Sequence, residues 1–389
     1  MNILCLTTRP LNLVVIAFVL WGLLQHAQVT RCLIHLKRML LSLRLKYLSR
    51  DEPRMRLRKI DVFKLKVQEQ GLHVSPDEMI KLFPRHFERI GRVVIVKLNP
   101  GIPRDAFAPC AGAFAETFSP LVIDVVLLDS RGIVGELREP QLDVLWKKDI
   151  SLFAGQKLQR DVKNLIAGSP GFTSNDVTIL ESCTKSLTFT THIENGVRYS
   201  LDVCKVMFCS GNGTERMHFA ALKAKDEVVV DMFAGIGYFT LPLAMKGGVK
   251  VVHALEKNKH SALFLIFNAV QNKVNGLISV HCGDNRVVGS ELCGCCDRVI
   301  MGYIPSCENF LPRAVSFLRQ SPCGAPVGTV HYHFLAPRKY APELIMEHLR
   351  LSLGGATASS AQIGSVRVVK SYAPRRFHCV ADLVFSGVR

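Results

Sequence analysis

Glu227-Val228-Val229-Val230-Asp231-Met232-Phe233-Ala234-Gly235-Ile236-Gly237 decides the fold. Three valines in a row read as a strand buried on both faces, the signature of a parallel sheet rather than a half-exposed one. The strand ends on a carboxylate, and two glycines follow it. Working outward, residues 239–245 begin a helix, 249–255 form a strand and 260–272 a helix. Residues 278–282, 297–301 and 328–334 read as further strands, and 366–372 and 380–385 finish the series. Strands alternating with helices over about 160 residues predict a Rossmann-like, doubly wound α/β sheet with an antiparallel pair at its end.

Ligands of such sheets bind outside the carboxyl ends of the strands. Gly235 and Gly237 let the backbone turn tightly and approach a ligand there. A dinucleotide fingerprint needs a third glycine three residues on, and that position is Thr240. No close helix–strand packing glycine and no pyrophosphate cradle are therefore expected. An acidic strand end followed by G-x-G is the pattern of S-adenosylmethionine sites. Asp231 is placed to accept from the ammonium of the methionine part or to order a water beside it. Glu256 closes the second strand and can accept both ribose hydroxyls. Asp284, with Asn285, closes the third and can hold the adenine amino group. Three carboxylates at three successive strand ends are more specific than one G-x-G; the bland alternative is that they only cap helices.

The chain has 389 residues, 48% apolar and 21% charged, and a formal charge of +17. That composition excludes a disordered chain, and the surplus of basic side chains favours a polyanionic partner, nucleic acid before membrane. No stretch reaches the ~20 apolar residues of a spanning helix. The 13 cysteines are odd in number and scattered, unlike a secreted disulfide framework. Cys293, Cys295 and Cys296 cluster, yet no second C-x-x-C or H-x-x-x-H lies at zinc spacing, so no metal is expected and the thiols read as reduced. A cytoplasmic location follows, qualified by the first fifty residues. These are apolar at 11–24, carry seven basic residues and hold no acidic one before Asp51. They read as an organelle-targeting presequence, a membrane anchor touching lipid through residues 11–24, or an aberrant start joined to a soluble enzyme.

Between this extension and the main sheet, residues 93–98 form a β-branched run closed by Asn99-Pro100-Gly101, 121–128 an apolar strand and 149–166 a helix. They predict a small α+β domain. Gly168-Ser169-Pro170-Gly171 is a boundary loop, giving an extension over 1–50, a small α+β domain over 51–170 suited to grip a nucleic acid and a cofactor-binding domain over 171–389. Residues 186–192 and 196–203 alternate like a hairpin turning at Glu194-Asn195-Gly196.

Several motifs together resemble the tRNA wybutosine-synthesizing protein 2 family, which is similar in fold to the tRNA guanine-37 N1-methyltransferases. They are the segment 204–216 (Cys204-Lys205-Val206-Met207-Phe208-Cys209-Ser210-Gly211-Asn212-Gly213-Thr214-Glu215-Arg216), the loop from Asp231 to Thr240, Gly283-Asp284-Asn285-Arg286 and Met301-Gly302-Tyr303-Ile304-Pro305-Ser306. Glu194 to Ser200 and Val369-Lys370-Ser371-Tyr372-Ala373-Pro374 support them. The likeness covers roughly residues 88–389. It implies transfer of the 3-amino-3-carboxypropyl group of S-adenosylmethionine to a carbon of 4-demethylwyosine at position 37 of phenylalanine tRNA, releasing methylthioadenosine, with no obligate protein partner. It implies cofactor contacts at Cys209, Arg216, Glu256, Asp284 and Asn285, and Ser210 lies in the same segment. The family tends to carry serine where Cys209 stands and lysine where Arg216 stands. Arginine keeps the charge with a different donor geometry, and a thiol is the weaker hydrogen-bond partner.

The related methyltransferases carry an Asn-Pro-Pro-like segment after the fourth strand. Here it reads Gly302-Tyr303-Ile304-Pro305, without asparagine, which favours transfer of the larger arm. The rivals are a guanine-37 N1-methyltransferase and a non-catalytic tRNA-binding relative. Arg286, Arg298, Arg313, Arg338, Lys339, Arg375 and Arg376 are candidate phosphate contacts. Tyr303, Phe310, Tyr340 and Tyr372 are candidates to stack on an extruded base. His331 and His333 read as core or surface histidines. No residue is singled out as a general base.

Overall fold

The computed structural model describes residues 58–149, 159–305, 307–337 and 341–387. The expectations for 1–50, and for Arg338, Lys339 and Tyr340, lie outside these. From Lys59 onward the chain forms one unit.

Its main sheet has the strand order β13-β14-β12-β10-β7-β8-β9, with β11 (Arg319–Gln320) paired to β12. The first strand, β7 (Val228–Asp231), lies in the middle between β8 (Val251–Glu256) and β10 (Arg298–Met301), parallel to both. Beyond β8 comes β9 (Ile278–Cys282), and beyond β10 comes β12 (Pro326–Ala336), also parallel. β14 (Arg376–Ser386) and β13 (Ala361–Ala373) close that edge antiparallel. Strand order reverses at β7, so its carboxyl end opens a crevice between diverging connections, where such folds hold ligands.

The helix Lys259–Gln271 starts because the Asn258 side chain accepts from the amides of His260 (2.9 Å) and Ser261 (3.3 Å). It is buried all round from Ser261 to Val270. Its Asn268 is fully satisfied: Oδ1 accepts from the Ser200 amide at 2.7 Å, and Nδ2 donates to the carbonyls of Ser200 and Ile236 at 3.1 Å each. One amide thus ties the glycine loop after β7 to the hairpin β5 (Phe189–Glu194) and β6 (Val197–Asp202). That hairpin turns at Asn195 and Gly196, both at positive φ, as an Asn-Gly turn requires.

The packing glycine judged absent is present one step early. A Cβ on Gly237 would sit 2.6 Å from Leu241 Cγ and 2.7 Å from Leu265 Cδ1, so only glycine lets the loop lie against these helices.

A second sheet, in the order β1-β2-β3-β4, precedes the first: β1 (His86–Ile90), β2 (Val93–Lys97), β3 (Val125–Val134) and β4 (Glu139–Lys147). One face packs on edge-to-face rings centred on Phe114, which meets Phe83, Phe87, Phe107 and Phe118 at 5.5–5.9 Å. On the other face Ile90, Val93, Val125 and Leu127 join the core containing Tyr199, Phe264 and Ile300. The small sheet therefore shares a core with the main one. The helices Arg160–Gly168 and Ser174–Thr184, either side of the 168–171 loop, add Val162, Ile166 and Leu180 to that same core.

Two sequence expectations shift. The strand placed at 121–128 begins at Val125: residues 117–120 form a turn, and Leu121 and Val122 after it are exposed. It then runs on to Val134 and returns as β4, which makes a long hairpin. The helix placed at 149–166 is described only from Arg160 and ends at Gly168. Among the described residues no helix is long and apolar enough to cross a membrane.

Candidate functional site

A cavity of about 740 Å³ opens at the carboxyl ends of β7, β8 and β10 and after β9. That volume suits a nucleoside-sized ligand. Five of the nine sequence-nominated residues line it: Cys209, Gly235, Glu256, Asp284 and Asn285. Ser210, Arg216, Asp231 and Gly237 do not.

Glu256 ends β8. Its Oε2 accepts from the Gly235 amide and its Oε1 from the Asn258 amide, both at 2.7 Å. Burial pushes its pKa up to about 7 against the pull of those amides. The carboxylate is thus aimed by two backbone donors and can still accept from a vicinal diol. Asp231 is fully buried behind it. It accepts from the Thr240 hydroxyl at 2.8 Å and the Phe233 amide at 3.3 Å, and burial raises its pKa to about 6. It shapes the glycine loop from within and does not reach the ligand space. The Thr240 that displaces a third glycine supplies its partner.

Asp284 is held well below the usual carboxylate range, first by Arg286, with Lys257 at 3.0 Å adding to it. Asn285 donates through Nδ2 to the Met232 carbonyl at 2.7 Å. Its Oδ1 is buried without a partner. An unpaired buried acceptor is costly, and here it belongs to a side chain lining a cavity. An exocyclic amine donating to it would satisfy it, so these residues fit an adenosine. Phe233 and Tyr303 stack at 5.2 Å, and Phe310 meets Phe233 edge-on at 5.1 Å. All three line the same space and offer the apolar wall a purine needs.

Sequence reasoning missed the wall opposite. The turn of the β3–β4 hairpin, residues 135–138, reaches across from the small sheet. Glu136 pairs with Lys257 at 2.8 Å and Arg286 at 3.4 Å. The Leu137 carbonyl accepts from Asn258 Nδ2 at 3.0 Å. Arg138 donates to the Ile304 carbonyl at 2.6 Å, fixing the 302–305 loop. The available signal was Gly132 and Gly135 between two apolar runs, residues 125–128 and 142–146, a hairpin cue.

At another end of the cavity stand Met207, Cys209, Asn212, Tyr238, Lys370, Tyr372 and His378. Arg216 turns away from it. It is 2% exposed, pairs with Glu194 at 2.5 Å and donates to the carbonyls of Cys209 (2.9 Å) and Ser210 (3.3 Å). It therefore anchors the backbone that carries Cys209. Ser210 faces the small sheet, its amide donating to Glu88 at 2.8 Å.

Of the proposed phosphate contacts, Arg298 is engaged by Glu227 and His331, and Arg313 braces the Asn285 and Val288 carbonyls. Arg375 and Arg376 remain exposed at the β13–β14 turn. Tyr372, 45% exposed, stands at the cavity rim. His331 is paired with Asp382 at 2.6 Å, and His333 shares a 3.0 Å hydrogen bond with His378. Cys293 and Cys295 are exposed and free. Among the described residues, one group, His218, His331 and Asp382, has metal-like spacing. Arg367 already holds both Asp382 oxygens at 2.8 Å and Arg298 holds His331, so that cluster is already occupied by cations.

The TRM5/TYW2 methyltransferase domain model matches residues 190–354. A protein of Pyrococcus horikoshii named tRNA(Phe) (4-demethylwyosine(37)-C(7)) aminocarboxypropyltransferase is 30% identical over 308 residues, covering 79% of this chain and 92% of that protein. Its namesake in Methanocaldococcus jannaschii is 32% identical over 304 residues, covering 78% and 98%. The structure of P. horikoshii TYW2 in complex with MeSAdo superposes with a TM-score of 0.62 at 27% identity, over 84% of this chain and all of that one. With such likeness along nearly the full length of both archaeal proteins, the chain belongs to the tRNA wybutosine-synthesizing protein 2 family.

Proposed function

We propose that this protein transfers the 3-amino-3-carboxypropyl group of S-adenosylmethionine to C7 of 4-demethylwyosine at position 37 of phenylalanine tRNA, a step of wybutosine biosynthesis. The observation that carries this is the buried, unpaired Oδ1 of Asn285 beside the amide-aimed Glu256 in one cavity. Relatives bearing the name of that activity match nearly end to end.

The donor supplies a sulfonium, already a good leaving group. A carbon–carbon bond forms from the base's electron pair, the sulfur–carbon bond breaks with its pair left on sulfur, methylthioadenosine departs, and the ring proton passes to solvent. What the chain must supply is alignment, which can provide ~7–11 kcal/mol of such a barrier. Glu256 would take the ribose hydroxyls and Asn285 the adenine amine, with Asp284 fixed beside them by Lys257 and Arg286. The stacked Phe233 and Tyr303 would exclude water. Arg138, by holding the Ile304 carbonyl, sets the 302–305 loop against which an extruded base would lie. Tyr372 at the rim and the exposed Arg375 and Arg376 are suited to receive the anticodon loop. Action on tRNA agrees with a cytoplasmic place of work.

The test is incubation of tRNA bearing 4-demethylwyosine, and separately of tRNA bearing guanine at position 37, with donor labelled on either the carboxyl or the methyl carbon. Label should enter RNA from the carboxyl position. Label entering only from methyl would make the protein a guanine-37 N1-methyltransferase, and none from either would leave a non-catalytic tRNA-binding relative.

A further inference from the structure

Resting on that reading, we propose that Lys370 holds the carboxylate of the donor's amino-acid arm and thereby determines which carbon on sulfur faces the base. Lys370 lies on β13 and Asn285 follows β9, strands at opposite edges of the sheet, yet both side chains line one cavity. A ligand touching both is held at both ends.

Three cationic side chains line that cavity: Arg138, Lys257 and Lys370. Lys257 is committed to Glu136 and Asp284, and Arg138 to the Ile304 carbonyl. Arg216, assigned to the cofactor by resemblance, is turned to Glu194 and two carbonyls. Among the described residues no carboxylate is within ion-pair distance of Lys370. Its Nζ donates to Cys209 Sγ at 2.8 Å. Sulfur is a weak acceptor and an ammonium has three donors, so most of its capacity is unspent.

Its position is fixed rather than floating. A Cβ on Gly211 would lie 3.1 Å from Lys370 Cδ and 3.4 Å from Nζ, so the lysine rests on the turn entering the helix Gly213–Ala221. No side chain caps that nine-residue helix, so its first amides add positive potential beside the ammonium. The other titratable groups at this end are Cys209, Tyr238, Tyr372 and His378. His378 faces Lys370 across the β13–β14 ladder. Burial, then the charge of Lys370, pushes His378 down to about 4, so it does not compete as a cation.

The test is calorimetry on the full chain with three probes. S-adenosylmethionine has the carboxylate, decarboxylated S-adenosylmethionine keeps the sulfonium and amine without it, and methylthioadenosine lacks the arm. The wild-type protein should prefer the first over the second by about tenfold or more, the scale of one charged hydrogen bond. Lys370→Met should erase that preference and leave methylthioadenosine affinity within about twofold. Lys370→Arg should restore most of it. An unchanged preference in Lys370→Met, or an equal loss for all three probes, overturns the assignment. A wild-type protein that binds none of them overturns the donor site itself, a separate failure.

Discussion

At the ends of β7 and β8 the cavity floor is held by backbone. Glu256 is fixed by two amides at 2.7 Å and Asp231 by an amide and a buried hydroxyl. Across the cavity, the 135–138 turn is held by the exposed pairs of Glu136 with Lys257 and Arg286, Glu136 being 57% exposed, and by two part-buried hydrogen bonds, from Asn258 to the Leu137 carbonyl and from Arg138 to the Ile304 carbonyl. The floor is preorganised by the strands that build the sheet. The turn is fastened in part by charges that salt can screen. On the function proposed above, the nucleoside would be held by the rigid half and covered by the half that can let go.

Removing the floor should cost most. Glu256→Ala deletes the acceptor proposed for both ribose hydroxyls, and donor affinity by calorimetry should fall about a hundredfold. A loss under about threefold would break the comparison.

Asn285→Leu should cost less: about tenfold in affinity, with a stability loss of about 1–3 kcal/mol in thermal unfolding, because the Met232 carbonyl loses its donor.

Proton linkage sharpens the contrast further. With its pKa raised to about 7, Glu256 keeps a proton in the free protein that the unfolded chain releases near its ordinary 4.5. Its contribution to folding stability is full below that value and is lost as pH rises toward about 7. Ligand hydroxyls donate to the ionised form, so donor binding runs the other way. Affinity should be about tenfold weaker at pH 6 than at pH 8, with proton release on binding near neutrality.

The smallest effect belongs to the turn. Glu136→Gln should weaken donor binding by no more than about threefold at low salt and not at all near 1 M salt, the behaviour of exposed pairs. A larger, salt-independent loss would place the turn with the floor.

The floor was legible in the sequence because buried parallel strands write themselves as apolar runs, and their carboxylate ends are single letters at predictable places. The Asn195-Gly196 turn was legible for the same local reason. The hairpin of β3 and β4 was not: its outer half is exposed on both faces, so no strong alternation marks it. Arg216 read as a ligand contact because charge and motif position say nothing of direction, and only packing turns it toward Glu194. Lys370, 161 residues from Cys209, meets it through a strand pairing at the far edge of the sheet, which spacing does not reveal.

The turn that crosses from the first sheet also has a bearing on ancestry. A fragment starting near residue 170 would carry every strand-end carboxylate and still lack Gly135, Glu136, Leu137 and Arg138, one side of its own binding chamber. The Rossmann-like half is thus no portable cassette. Any descendant that trades the leading sheet for another has to supply a new wall in place of that turn to enclose the same cavity.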